Sequence, residues 1–312
     1  MFLLENQITL ENRSVLNEYL GSFDYRASSF SITSLYMWRD INQFSWQIIG
    51  DYLCLSGMSH LETDQEEPFL FPPLTKNGKY EPESLAFTII AAKRIFEDKG
   101  YIFSIRLLPF HMRDFLEQAL PNQLEFIADR PNYDYVYTTQ DLIELKGRQY
   151  HPKKNHLNYF HNNYTYEYVE LTSAMADDAM DFIHAFNKRK CLPEHEMKLL
   201  MMEELAMEDA LRNLEKVGYL AGAILIDGKI EALSIGGYLG KKTVTVHVEK
   251  ANTEYRGLYQ AINNEFCKHV AAHVKCINRE EDMGIAGLRK AKLSYHPVKL
   301  LENYIALFKA DL

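Results

Sequence analysis

Positive charge, long apolar runs and paired cysteines are all scarce in this chain. Its 312 residues carry 34 Lys and Arg against 43 Asp and Glu, a formal net charge of -9. That balance argues against a surface that coats nucleic acid, although a local basic patch is compatible with it. The longest apolar run, 220–226, is far shorter than the roughly 18 to 20 residues that cross a bilayer. Any membrane contact is therefore expected to be peripheral.

The cysteines and the missing motifs exclude further classes. The four cysteines have no paired spacing, and no basic N-terminal stretch precedes an apolar run, so we expect reduced thiols and a cytoplasmic protein. No Gly-x-Ser-x-Gly turn, Gly-Lys-Ser/Thr loop or dinucleotide fingerprint occurs, which disfavours serine hydrolases, nucleotide hydrolases and dehydrogenases. His269, His273 and Cys276 lack an evident fourth ligand, so no metal is expected.

What is present is the composition of a packed α/β protein large enough for two domains, with 47% hydrophobic residues, 20 Tyr and 17 Phe. Apolar periodicity and turn residues predict the elements. The expected helices are 11–20, 31–40, 82–98, 109–120, 174–190, 194–215, 256–273 and 285–295. The expected strands are 45–49, 52–56, 101–108, 123–128, 133–138, 220–226, 229–239, 243–249, 274–279 and 303–308.

The order helix, strand, helix, strand occurs in both halves, which predicts a tandem pair of similar domains. We expect an N-terminal domain at 1–145 and a C-terminal domain with the active site at 164–312. Between them, 146–163 contains glycine, proline and several charges. This composition favours a connecting basic helix outside either core.

The segment 243–259 carries the most chemical information. Thr243, Thr245, His247 and Glu249 alternate with valines, which predicts a strand with one polar face. The strand is followed by a turn at Arg256-Gly257 and then by a helix. A helix N-terminus presents unpaired N–H groups and a positive dipole end, which favour an anionic or carbonyl-bearing ligand.

This element order resembles that of the GNAT acyltransferase fold in its tandem form, with mixed, mainly antiparallel sheets. The stretches SITSLYMWRD, DYVYTTQDLIELKGRQYHPKKNHLNYF and EEDMGIAGLRKAKLSYHP resemble uncharacterised proteins related to the catalytic domain of phosphatidylglycerol lysyltransferase. More distantly, the architecture is similar to the Fem-type peptidoglycan aminoacyltransferases.

The resemblance implies acyl or aminoacyl transfer to an amine or hydroxyl of a small-molecule or lipid-like acceptor. The donor is expected to be acyl-CoA or aminoacyl-tRNA. At this turn, acetyl-CoA users of the fold have Gln or Arg, followed after two residues by Gly and after one more residue by Gly or Ala. In this chain Glu254, Gly257 and Tyr259 are aligned with those three positions. An anion and a bulky side chain are poorly suited to pyrophosphate. Both donors therefore stay open.

His247, Glu249 and Tyr295 are the candidate catalytic residues. His247 or Glu249 could take a proton from the acceptor, directly or through water, and the resemblance places Tyr295 where such folds hold an acid for the leaving group. The alternatives are a solvent-facing strand side for the first two and a core tyrosine for the third.

The remaining candidates bind donor or acceptor. The expected donor-binding residues are Val248, Lys250, Arg256, Gly257, Leu258, Tyr259, Arg289 and Lys292. Glu281 could hold the ammonium of an acceptor, and Lys153 and Lys154, among nearby tyrosines, could hold a tRNA end. Charge runs are also typical of solvated faces. The leading hypothesis is thus a transferase without a covalent enzyme intermediate, and the alternative is a ligand-binding module with a degenerate acyltransferase fold.

Overall fold

The computed structural model describes residues 2–21, 27–59, 67–189 and 194–311. The helices are α1 (Arg13–Leu20), α2 (Ile32–Met37), α3 (Pro82–Asp98), α4 (Met112–Ala119), α5 (Thr139–Glu144), α6 (His151–Asn163), α7 (Ala176–Lys188), α8 (Glu194–Arg212), α9 (Leu214–Val217), α10 (Leu258–His269) and α11 (Ala286–Leu293). The strands are β1 (Asn6–Gln7), β2 (Ser45–Ile49), β3 (Tyr52–Ser59), β4 (Glu67–Leu70), β5 (Ser104–Pro109), β6 (Leu124–Ala128), β7 (Asp134–Thr138), β8 (Glu167–Glu170), β9 (Tyr219–Ile226), β10 (Lys229–Leu239), β11 (Thr243–Ala251), β12 (Cys276–Asn278), β13 (Lys299–Leu301) and β14 (Asn303–Phe308). None of the described helices is long and apolar enough to cross a membrane.

Unit 1 comprises Met1–Tyr133 and Leu301–Leu312. Its seven-stranded sheet has the order β1-β2-β3-β4-β5-β14-β6, antiparallel except for the pair β4 and β5. The helix between those two strands, α3, begins with Pro82 in its first turn and buries Leu85, Ile89 and Phe96 at helical spacing. Gly100, at φ 78°, follows its end. The predicted helix 82–98 is confirmed.

Unit 2 comprises Asp134–Leu300. Its seven-stranded sheet has the order β13-β7-β12-β11-β10-β9-β8, and β11 and β12 form a parallel pair joined by α10. The predicted strands 220–226, 229–239 and 243–249 are confirmed as β9, β10 and β11, which form an antiparallel meander. Its Asp227-Gly228 turn has positive φ at both residues, 51° and 75°, as a tight two-residue hairpin requires.

Each unit contains the strand that was expected to end the other domain. β7 directly follows β6 in sequence but pairs with β12 of unit 2, while β14 at the end of the chain pairs with β5 and β6 of unit 1. The contacts therefore divide the chain near Tyr133 and Leu300, not at the borders 1–145, 146–163 and 164–312 expected from element order. Strand partners are chosen by non-local pairing, which the order of elements does not specify.

Helix α6, expected to lie outside either core, is part of unit 2. Leu157 and Phe160 are buried in the same cluster as Leu258 and Ile262 of α10. Lys154 of this helix is exposed, while the apolar residues recur at i and i+3, so composition alone concealed its buried face.

Candidate functional site

β11 pairs with β12 only over its first three residues. Parallel pairing joins Thr243–Thr245 to Cys276–Asn278, whereas β11 continues to Ala251. Beyond Thr245, the described residues contain no further pairing between these strands. An open strand edge offers main-chain N–H and C=O groups to a ligand. We take this opening, with the side chains that line it, as the candidate active site.

A β-bulge lies at this opening. The register is Ile235↔Val248 and then Gly236↔Val246. His247 is therefore one extra residue in β11, outside the ladder to β10. Gly236 permits the close approach of the two strands, since a Cβ there would lie 2.2 Å from the carbonyl oxygen of Thr245.

The bulge places His247 and Glu249 on opposite faces of the sheet, so the expected shared polar face was wrong. Val246 and Ala251 both pack in the cluster that contains α10, although residues five apart in a regular strand point to opposite sides. Glu249 lies on that α10 side, where its Oε2 accepts a hydrogen bond of 3.0 Å from Asn263. His247 comes before the point at which the bulge reverses the alternation of side chains, so its side chain lies on the face of the sheet opposite to α10.

His247 is paired with Glu280 from the loop after β12. Nδ1 lies 2.7 Å from Oε1, and the side chains are 0% and 14% exposed. His247 as a whole residue is half-buried, so its exposed part is the main chain. An ionised carboxylate only accepts hydrogen bonds, so Nδ1 of His247 carries the proton of this bond. This is the arrangement of a base with its orienting carboxylate.

The loop 279–284 is fixed by several side chains. Glu280 has φ 57°, a left-handed conformation that costs a non-glycine residue about 1 to 2 kcal/mol. Its N–H donates to Oδ1 of Asn278 at 2.7 Å, and Nδ2 of Asn278 donates to Asp134 at 2.7 Å. The surrounding bonds therefore hold Glu280 in an unfavourable backbone conformation next to His247.

Arg289, expected to bind phosphate, is engaged in this loop instead. Its Nε and Nη2 donate 2.8 Å hydrogen bonds to the two carboxylate oxygens of Asp282, which is fully buried. The hydroxyl of Tyr135 donates to the same carboxylate at 2.6 Å. A bidentate pair of this kind fixes geometry as well as charge.

Lys292, the other expected phosphate ligand, is buried and its ammonium donates to the main-chain carbonyls of Arg279 and Glu281. Burial lowers the pKa of Lys292. Burial, with the nearby charges of Glu280 and Asp134, raises the pKa of Glu281 to about 8. A Glu281 side chain that is mostly protonated at neutral pH is a weak ligand for an acceptor ammonium.

Arg279 crosses the opening on the α10 side. Its Nη2 donates to Oε1 of Glu249 at 2.8 Å, and the guanidinium carbon lies 4.9 Å from the ring centre of Tyr295. Both carboxylate oxygens of Glu249 thus accept hydrogen bonds, one from Arg279 and one from Asn263. Glu249 is arranged to hold Arg279 rather than to take a proton.

Tyr295 lies beside this pair, 5% exposed. Burial raises the pKa of its hydroxyl well above the ordinary value, against the opposing effect of Arg279. The phenol therefore stays protonated at neutral pH and is able to donate. Nζ of Lys153 lies 4.3 Å from the ring centre of Tyr295, and burial followed by the charge of Arg279 lowers the pKa of Lys153. Lys154 is exposed.

The turn before α10 is covered by α6. Gly257 has φ 91°, and a Cβ there would lie 2.2 Å from the carbonyl oxygen of His156 and 3.1 Å from Cβ of Phe160. The guanidinium carbon of Arg256 lies 4.4 Å from the ring centre of Tyr159 on the same helix. The backbone at Gly257, where a pyrophosphate was expected, is therefore in contact with protein.

The other residues expected to bind the donor are largely in packed positions. Leu258 and Val248 are buried, and Tyr259 is half-buried against the core of unit 2. Lys250 is buried with its ammonium 3.0 Å from Oε1 of Glu203 on α8. Hydrophobic packing and this ion pair account for these four side chains without a ligand.

A cavity of about 390 Å³ lies in unit 2 between α7 and the β9–β10 hairpin. Phe182, Phe186 and Ile230 form apolar walls, and Asp181 and Glu231 add carboxylates. Among the residues that the structure describes, no group of three or more His, Cys, Asp or Glu side chains is placed to hold a metal.

The family model described as phosphatidylglycerol lysyltransferase, C-terminal, matches residues 21–307. The chain belongs to this family. The predicted relation to the lysyltransferase catalytic domain and the predicted tandem GNAT-like fold with mainly antiparallel sheets are thereby confirmed.

Two solved structures and one further protein are similar to this chain over most of its length. A conserved protein of unknown function from Bacteroides thetaiotaomicron VPI-5482 is 32% identical, with a TM-score of 0.84 over 97% of this chain and 99% of that one. L-PGS from Bacillus licheniformis shares the fold, with a TM-score of 0.65 and 11% identity over 98% and 94% of the two chains. An uncharacterized protein from Mycoplasmoides gallisepticum is 23% identical over 96% of this chain and 98% of its own length.

Sequence reasoning missed Arg279 and Glu280, which cross the opening. The available signal was the charged run Asn278-Arg279-Glu280-Glu281-Asp282 directly after a buried strand. Loop residues at a strand end are frequent functional positions. The run alone could not show which of its members turns towards β11.

Proposed function

We propose that this member of the family transfers an aminoacyl group from an aminoacyl-tRNA ester to an amine or hydroxyl of a small-molecule or lipid-like acceptor. The observation that carries the proposal is the open edge of β11, where the bulged His247 and its partner Glu280 stand beside unpaired main chain. Family membership supports acyl-group transfer in general.

The chemistry follows from this geometry. The exposed main chain at His247 is suited to donate to the carbonyl oxygen of the ester as negative charge develops there. The ring of His247 is enclosed and oriented by Glu280, and in this proposal it would remove the proton of the attacking amine or hydroxyl once the acceptor has displaced the groups that cover it. Tyr295, kept neutral by burial, is the group proposed to protonate the leaving oxygen across the same opening.

Arg279 and Glu249 then have supporting roles. Their ion pair, 2.8 Å long, places a fixed positive charge beside Tyr295. A guanidinium there would stabilise the phenolate formed when Tyr295 gives up its proton. In this proposal Glu249 positions Arg279, and His247, rather than Glu249, is the base.

The choice of donor rests on the start of α10. An acyl-CoA pyrophosphate would need close approach to the main chain near Gly257, where His156 and Phe160 of α6 are packed. Arg289 and Lys292, the expected phosphate ligands, are engaged with the loop 279–284. On the outer side of α6, Lys154 and Tyr159 are exposed, a combination that suits the end of a tRNA.

The test is a transfer assay with two labelled donors. The full chain is incubated with a lipid extract and simple amines, together with either charged tRNA or acetyl-CoA carrying label in the transferred group. We expect label to leave the tRNA and not CoA. Loss of a true proton acceptor costs roughly 10²- to 10⁴-fold in rate, so His247→Ala should fall within that range.

Two further variants make this assay specific. Glu280→Gln should lower turnover while donor affinity stays unchanged, because it leaves the ring but removes its orienting charge. His273→Ala is the matched control, since His273 is exposed and bonded to the hydroxyl of Tyr238. Transfer from acetyl-CoA would assign the other donor. Ligand binding with no transfer from either donor would favour the degenerate binding module.

A further inference from the structure

A strand irregularity shapes the cavity between α7 and the β9–β10 hairpin. Residue pairing runs Ile230↔Leu225 and then Ala232↔Ile224, so Glu231 is one extra residue in β10. Consecutive residues of a regular strand point to opposite faces of the sheet, yet Ile230 and Glu231 both line the cavity. The bulge therefore turns a carboxylate towards an apolar wall.

The carboxylate of Glu231 is held in place before any ligand arrives. Its Oε2 accepts a 2.8 Å hydrogen bond from Nδ2 of Asn252, which is 4% exposed. Oδ1 of Asn252 in turn accepts hydrogen bonds from Nη1 of Arg189 at 2.7 Å and from the main-chain N–H of Glu254 at 3.1 Å. No other hydrogen bond from the described residues reaches the carboxylate of Glu231. An ionised carboxylate accepts several donors, so it can bind a ligand without breaking this network.

The lining of the cavity has an excess of negative charge. Its three carboxylates and two cations are those of Asp178, Asp181, Glu231, Arg189 and Lys229. Asp178 and Asp181 are three residues apart on α7 and thus on one side of that helix, and no ion pair within the described residues involves either of them. Arg189 lies 3.8 Å from Glu254, which is outside the lining, so its charge is partly balanced elsewhere. The remaining field favours a cation.

The walls of the cavity favour an apolar ligand of limited size. Phe182 and Phe186 are four residues apart on α7 with their ring centres 6.0 Å apart, and Ile230 lines the cavity from β10. The volume of about 390 Å³ is within the range of small-molecule sites. Aromatic faces also attract cations. An aromatic ring system with a short cationic side chain therefore matches both the walls and the charge.

We propose that this cavity binds a small organic cation with an aromatic body, of the class of the arylalkyl monoamines. The ring would pack on the apolar walls, and the ammonium would donate to Glu231 in the field of Asp178 and Asp181. Asn252, which lines the cavity, lies five residues beyond His247, roughly 15 Å along a strand. The cavity is thus a binding site separate from the opening of β11, and it does not depend on the proposed transfer.

The test measures binding to the full chain by titration calorimetry with three indole probes that share one apolar body. Tryptamine carries an ammonium, tryptophol a neutral hydroxyl and indole-3-propionate a carboxylate. Because charge-assisted hydrogen bonds are stronger than neutral ones, we expect tryptamine to bind at least roughly tenfold more tightly than tryptophol, and indole-3-propionate to bind most weakly. High salt should narrow these differences. Butylamine has the charge without the ring and should bind more weakly than tryptamine.

Two variants locate the binding in this cavity. Glu231→Gln should lower the affinity for tryptamine roughly tenfold and leave that for tryptophol unchanged, because only the charge at the bulge is removed. Ala185→Trp, at an exposed position of α7 that lines the cavity, should block all three indoles by filling the space. Glu167→Gln is the matched control, since it removes an exposed carboxylate of β8 in the same sheet. Unchanged melting temperatures verify folding, and Ala185→Trp decides alone if Glu231→Gln does not fold.

Several results would overturn the proposal. The absence of saturable tryptamine binding would remove the site, and equal affinity for tryptamine and tryptophol would show that charge plays no part in it. Tighter binding of indole-3-propionate would assign the cavity to anions. Full tryptamine binding by the cavity variants, or an equal loss in Glu167→Gln, would place the ligand elsewhere. The titration uses neither donor, so its failure would leave the proposed transfer reaction standing, and an inactive transfer assay would leave this site standing.

Discussion

Replacing Gly257 with alanine should destabilise the protein by far more than the same change at another left-handed glycine. Gly257 has φ 91° and precedes α10, with α6 directly above it. Two costs apply: the left-handed conformation of a residue with a Cβ, and the collision of that Cβ with α6. The first is about 1 to 2 kcal/mol.

The second cost follows from the distances. The added Cβ would lie 2.2 Å from the carbonyl oxygen of His156 and 3.0 Å from its carbonyl carbon. Both are backbone atoms, so α6 must move by roughly 1 Å, and Leu157 and Phe160 would lose part of their packing. Overpacking of a core typically costs about 1 to 3 kcal/mol. The total is about 2 to 5 kcal/mol.

Urea unfolding of Gly257→Ala, with Gly240→Ala as control, isolates the collision. Gly240 has φ 67°, and apart from its chain neighbours no atom of the described residues lies within 4 Å of its added Cβ, so only the conformational cost applies there. We expect Gly257→Ala to be less stable than Gly240→Ala by about 1 to 3 kcal/mol. Equal losses in the two variants would refute the packing of α6 on Gly257, and with it the argument against a pyrophosphate at this turn.

Two predictions concern the loop 279–284. The pKa of Glu281 is raised to about 8 in the folded protein. Between the ordinary glutamate pKa and that value, the folded state therefore binds more protons than the unfolded state. The free energy of unfolding falls as the pH rises through this window. Glu281→Gln should reduce that fall, measured as the free energy of unfolding in urea at several pH values; an unchanged pH slope would contradict the raised pKa. Asp282→Asn should cost about 2 kcal/mol in the same assay at neutral pH, because the buried carboxylate loses its charge-assisted bonds to Arg289. A loss no larger than that of an exposed Asp→Asn change would show that the pair does not hold the loop.

Local signals in the sequence determined the elements near the site. Pro82 and Gly100 bound α3, and alternating valines mark β11. These signals act between neighbours in the chain, through backbone conformation and apolar periodicity, so they can be read without knowledge of the fold. The family resemblance likewise depended on residues along the chain, and it was confirmed.

Only the tertiary structure decided which residues meet. A glycine inside a strand, here Gly236, commonly accompanies a bulge, but the register that makes His247 the extra residue depends on pairing between two strands. That one residue moved Glu249 to the other face and left Glu280 as the partner of His247. Arg289 and Lys292 looked like free cations in sequence, and their partners, Asp282 and the carbonyls of the loop, are fixed by packing. Side-chain partners and strand exchange arise from contacts distant in sequence, which a local pattern does not specify.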